Sequence, residues 1–86
     1  MPTIPFNDQS VSEQARRTLQ TAFGPNTAVR TDEGEAGHVS VRIVSDRFDG
    51  LGDLAKQDLV WEALRREMHE EAQAVALVLA FGTDQI

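Results

Sequence analysis

Cysteine is absent from this 86-residue chain. Its absence excludes disulfides, thiolate nucleophiles and thiolate metal ligands supplied by this chain alone, and it suits a cytoplasmic setting. No apolar run reaches the roughly 18 residues that a membrane-spanning helix requires. The first residues, Met1-Pro-Thr-Ile-Pro-Phe-Asn-Asp8, carry no basic stretch ahead of an apolar core, so no signal peptide is expected. Basic residues are scarce: 8 Lys and Arg stand against 14 Asp and Glu, for a net charge of -6. Within residues 46–71 the imbalance is 4 basic to 8 acidic. Nucleic-acid binding rests on cations that displace counterions from phosphates. This region therefore repels a nucleic-acid backbone on average, and nucleic acid is a disfavoured partner.

Catalytic motifs are missing too. Ser45 has no histidine and aspartate at a spacing that suggests a triad. Gly50 and Gly52 do not form GxGxxG, and their turn lacks a P-loop lysine. Asp49-Gly-Leu-Gly-Asp53 lacks the twelve-residue pattern and terminal glutamate of a calcium loop. His38 and His69 form neither HxH nor HxxxH, so no metal site is expected. His38 reads as a partly exposed residue at a strand end, with a ligand role beside the hairpin as the alternative. His69 reads as a cation at the C-terminal end of a helix dipole. Asp46, Asp49 and Asp53 read as turn and capping residues. No catalytic residue emerges, and a non-enzymatic protein is expected.

The composition is that of one globular domain: 41% hydrophobic, 26% charged, with no repeats or low-complexity tract. The domain is expected to span 1–86, with 1–9 a flexible N-terminal segment. A chain this short buries only about 60% of its unfolded surface, so each large apolar residue matters. Ser10-Val-Ser-Glu13 is a capping-box pattern. Val11, Ala15, Leu19, Ala22 and Phe23 follow at helical spacing, and Gly24-Pro25 ends the helix. The pattern predicts strands near 27–31, 38–45 and 74–81 and helices near 10–23 and 53–70. Asp32-Glu-Gly-Glu-Ala-Gly37 reads as a hairpin turn. In the second strand Val39, Val41 and Ile43 share one face and Ser40 and Arg42 the other. Asp53 is a plausible N-cap for the long helix. On that helix Leu54, Trp61, Leu64 and Met68, with Val60 beside them, form an apolar stripe, and Trp61 is expected as a core anchor. Gln57 interrupts the stripe and needs hydrogen-bond partners if it is buried. Leu59 lies opposite and could seed a contact surface. The run Ala74-Val-Ala-Leu-Val-Leu-Ala-Phe81 fits a strand or a buried helix by period alone; a strand completes a βαβ crossover. The expected architecture is α+β: order α-β-β-α-β, with a three-stranded mixed sheet and both helices on one face.

Ile43-Val-Ser-Asp-Arg-Phe48, followed by Gly50, resembles the signature of the BolA family. So does Leu59-Val-Trp-Glu-Ala-Leu64, at the family's aliphatic-aliphatic-aromatic-x-x-Leu helix. The resemblance covers roughly residues 10–81. It implies a two-layer fold similar to the type II KH domain. It also implies partnership with a monothiol glutaredoxin and a shared 2Fe-2S cluster, and, for some bacterial members, DNA-binding transcriptional regulation.

Carried over by position, the chain departs from the family at the expected ligands. The family's basic-His-basic triplet is Lys56-Gln57-Asp58 here. Its last strand, which begins His-Ala-aliphatic, is Gln73-Ala74-Val75 here. The loop Asp32–Gly37 offers carboxylates and no cysteine or histidine. An amide is a poor ligand for iron that prefers thiolate or imidazole, so direct cluster ligation is not expected. The expected function is a BolA-like binding module on a glutaredoxin-like partner, with Asp49, Gly50, Lys56, Gln57 and Gln73 as its partner-facing residues. A KH-like nucleic-acid regulator is the alternative. The charge balance generates a direct test: anisotropy titrations with mixed-sequence duplex DNA and single-stranded RNA at about 150 mM salt are expected to show no sub-micromolar binding.

Overall fold

The computed structural model of the chain describes residues 10–86. The segment 1–9 lies outside the described residues.

Helix α1 spans Val11–Phe23, and the Ser10 hydroxyl caps it by accepting a hydrogen bond from the Glu13 N–H. Ala15, Leu19 and Phe23 form its buried face. Gly24, at φ 94°, ends the helix, a backbone angle that a side chain resists. Strand β1 (Thr27–Glu33) pairs antiparallel with β2 (Val39–Ser45), from Thr27 opposite Ser45 to Glu33 opposite Val39. The turn between them is Gly34–His38, because Asp32 and Glu33 stay in the strand. Helix α2 (Asp53–Met68) then crosses over to β3 (Val75–Gly82), which lies parallel to β2. The sheet order β1-β2-β3 puts β2 at the centre. The expected two-layer α+β architecture is what the structure shows.

One face of the sheet carries the core. Val39, Val41, Ile43 and Ser45 of β2 are buried, as are Val75 and Val78 of β3. They meet Leu19 and Phe23 of α1 and Val60, Ala63, Leu64 and Met68 of α2. Phe48, just beyond β2, is fully buried and packs on Phe23 with ring centroids 5.1 Å apart. A polar trio sits at the edge of this core: the Thr27 hydroxyl lies 3.1 Å from the Phe23 carbonyl and 2.9 Å from Ser45 Oγ.

The expectations for α2 change at its ends and on its buried face. Helix α2 stops at Met68, where His69 takes φ 56° and turns the chain into a 3₁₀ segment through Ala74. The cations in its last turn are Arg65 and Arg66. The N-cap is Gly52, with Asp53 already inside the first turn. Leu54 is 76% exposed, and Trp61 is only partly buried. The cause is angular. At about 100° per residue, Trp61 and Leu54 lie roughly 100–120° from Val60, at the margin of the buried arc. Lys56 occupies that arc instead and is 3% exposed.

The stability expectation moves accordingly. Phe48→Ala should cost about 3–5 kcal/mol, and Trp61→Ala only about 1–2 kcal/mol. Urea denaturation of the two variants should show that order.

Candidate functional site

The polar turn after β2 is built around Phe48. Ser45 Oγ accepts from the Arg47 N–H at 3.1 Å and starts a 3₁₀ turn over Asp46–Phe48. With Phe48 pinned inward, Asp49 emerges at the surface, and Gly50 supplies the φ of 80° needed to continue. The Asp49 carboxylate accepts from the Thr83 N–H at 2.6 Å, from the Thr83 hydroxyl at 2.7 Å and from the Asp84 N–H at 3.3 Å. In return Asp84 Oδ2 accepts from the Gly50 N–H at 3.1 Å. Gln85 completes the clamp. Its side-chain oxygen accepts from the Gly82 N–H at 2.8 Å and from the Lys56 ammonium, which also lies 3.7 Å from Asp53. The Thr83 hydroxyl, more than any other donor, holds the Asp49 carboxyl below the usual aspartate range, and the Thr83 and Asp84 N–H groups act in the same direction. A carboxylate so engaged is a tie for the last turn, poorly placed to take a proton from a substrate.

On α2, Gln57 uses both ends of its amide. Its Nε2 donates to the Val78 carbonyl at 2.8 Å, and its Oε1 accepts from Trp61 Nε1 at 3.0 Å. The amide thus fastens the helix to β3 and orients the half-buried indole. Trp61 then forms one wall of a groove of about 270 Å³ with Arg65, His69, Ala72 and Gln73. Gln73 is exposed there.

The predicted site residues therefore fall into three places. Asp49, Gly50 and Lys56 converge on the turn 83–85. Gln57 supports Trp61, and Gln73 lines the groove. His38 is exposed beside the hairpin, at the same end of the sheet as Gln73, since Val39 pairs with Val75. The sequence reading missed Thr83, Asp84 and Gln85, although the change from an apolar run to Thr-Asp-Gln was visible. It also missed Arg65, and it missed His69 as a neighbour of Gln73. Among the described residues no group of three or more His, Cys, Asp or Glu is placed to hold a metal ion.

The β2 signature, the turn and the groove sit on a small two-layer α+β domain, and the comparisons give its family. The sequence model described as BolA-like protein matches residues 8–83. The chain belongs to the BolA family. The solution structure of mouse BolA1 is 28% identical with a TM-score of 0.69, over 87% of this chain and 67% of that one. BolA1 from Arabidopsis thaliana is 19% identical with a TM-score of 0.69, over 90% and 96%. The BolA domain of SufE1 from the same plant is 24% identical with a TM-score of 0.64, over 87% and 94%. A comparison with curated proteins gives no match. No helix among the described residues is long and apolar enough to cross a membrane.

The donor set does not fit a cluster held by this chain. Gln73 presents a neutral amide, and the groove contributes one imidazole and no thiolate.

The clamp has a pH signature. The folded pKa of Asp49 lies below the unfolded value, so its contribution is present above about pH 3.9 and fades as pH falls through the folded value. Thermal melts of Asp49→Asn should fall below wild type near neutrality and converge with it in strong acid. Gly82→Ala should weaken the same clamp, because a Cβ there would come within 2.4 Å of Asp84 Oδ1 and 2.8 Å of Asp49 Oδ1.

Proposed function

We propose that this chain is a non-enzymatic, cytoplasmic BolA-like docking module. Its partner is a monothiol-glutaredoxin-like protein in iron-sulfur or redox stress regulation, and it does not itself ligate the shared 2Fe-2S cluster. The observation that carries this reading is the open groove of Trp61, Arg65, His69, Ala72 and Gln73. It lies at the position where the resemblance places the family's ligand histidine. The groove keeps an apolar wall and a cationic rim, while position 73 offers an amide in place of imidazole. The Gln57 bridge orients Trp61 from behind it, whereas the clamp at residues 83–85 lies at the other end of β3. Lys56 is buried against Gln85, so its part is to hold that turn in place.

Docking and ligation are separable by experiment. Isothermal titration with a cluster-loaded monothiol glutaredoxin should show binding by wild type. Visible absorption and circular dichroism should keep the spectrum of the glutaredoxin alone. Gln73→His should shift the spectrum towards mixed ligation while affinity stays within about threefold. Trp61→Ala should weaken binding about tenfold or more, the scale of 1.4 kcal/mol. Heat-free titrations would remove the docking proposal. A shifted wild-type spectrum would show that a resident histidine ligates, and would overturn the non-ligating part.

A further inference from the structure

The sheet face away from the helices carries a feature that the groove does not explain. Arg30 of β1 sits directly opposite Arg42 of β2. Like charges opposed across a strand pair are destabilising. Both side chains are exposed, and neither is within ion-pair distance of a carboxylate among the described residues. Asp32 shares their face one row away without closing a bridge. The chain has only 8 basic residues and a net charge of -6, yet it holds two guanidinium groups together and leaves them unmatched.

Beside them runs an apolar row. Leu77 is 48% exposed and Leu79 40% exposed on β3, which is an edge strand. Phe81 lies in the same row, with Arg42 5.7 Å above its ring. Arg42 is the ridge between two shallow grooves. One, of about 280 Å³, is lined by Arg30, Asp32, Ser40, Val41, Arg42 and Leu79. The other, of about 250 Å³, has Val44, Phe81 and Ile86 as its apolar walls.

We propose that this open face docks an extended acidic peptide segment of a protein partner, its carboxylates on Arg30 and Arg42 and its aliphatic side chains on Leu79, Val44 and Phe81. Guanidinium forks match carboxylates in a bidentate geometry. Alternate side chains of an extended peptide are about 6.5–7 Å apart, the same interval that separates the Arg42 row from the Val44 row. A second copy of this chain is a poorer occupant, since two-fold stacking would set arginine on arginine between two acidic bodies. Single-stranded nucleic acid is poorer as well. The face offers one aromatic ring, which Arg42 already covers, and Asp32 faces into the first groove.

The probe is a fluorescein-labelled peptide repeating Glu-Thr-Leu-Thr, which sets glutamate and leucine in turn on one face of an extended chain, titrated by anisotropy against the full chain, with the Lys-Thr-Leu-Thr counterpart and a mixed-sequence single-stranded oligonucleotide as comparators. The glutamate peptide should bind and the lysine peptide should not. Arg42→Glu and Arg30→Glu should each weaken binding about tenfold or more, Arg42→Lys less, and Leu79→Ser about fivefold. Melting temperatures of the arginine variants should be unchanged or higher, because a like-charge pair is removed. Amide NMR shifts should move at Arg42, Val44, Leu79 and Phe81 and not around Gln73. Absence of saturable binding would overturn the proposal, as would affinity unaffected by both charge reversals, or tighter binding of the oligonucleotide than of the peptide.

Discussion

The alternation of β2 governs the rest of the structure. Val39, Val41, Ile43 and Ser45 point into the core, so Ser40, Arg42 and Val44 point out. A slip of one residue would drive Arg42 into the apolar layer and expose Ile43. That penalty fixes the register with both neighbours. It sets Gly82 opposite Ser45, which brings Thr83 to Asp49. It also sets Arg30 opposite Arg42, which places two cations on the open face. The clamp and the arginine pair are both products of the same strand register.

Helix α2 shows how a small core tolerates polar members. Its buried arc includes Lys56, and Gln57 lies at the margin. Burying an unmatched ammonium would be costly. Lys56 avoids that cost by laying its stem against the core and presenting its nitrogen to Gln85 and Asp53. Gln57 meets two partners at once. Apolar packing alone would let the helix slide along the sheet. These directional bonds to Val78 and to the last turn fix where it sits, which is the specificity that satisfied buried polar groups can supply.

The elements were legible in the sequence wherever one rule acted alone. Strict alternation identified β2, and the Ser10 cap with Gly24 bounded α1. The apolar run 74–81 read as a strand because a crossover strand completes the sheet and the family resemblance agrees, and β3 spans Val75–Gly82. Legibility failed where several rules competed. Leu54 looked like a core residue because it follows helical spacing from Trp61, but both lie at the margin of an arc whose centre is set by the sheet. Lys56 looked exposed because lysine usually is; its burial depends on Gln85, a residue 29 positions away. Asp49 was singled out as partner-facing, and its hydrogen bonds to Thr83 and Asp84 add a structural tie that the sequence did not announce. No local pattern predicts a tie between a turn and a segment more than thirty residues later.

The groove is largely independent of the residue that gives it interest. Its walls are set by the chain of bonds from Val78 through Gln57 to Trp61, and by the reversal at His69, whose left-handed φ of 56° is unusual for a side-chain-bearing residue. Gln73 takes no part in either. It is exposed, and no hydrogen bond to it is found among the described residues. Exchange at position 73 therefore changes the donor that the groove presents while leaving its walls in place. The walls of the groove do not depend on which side chain stands at position 73, so on the docking reading proposed above the contact surface and the donor are separable features of the fold.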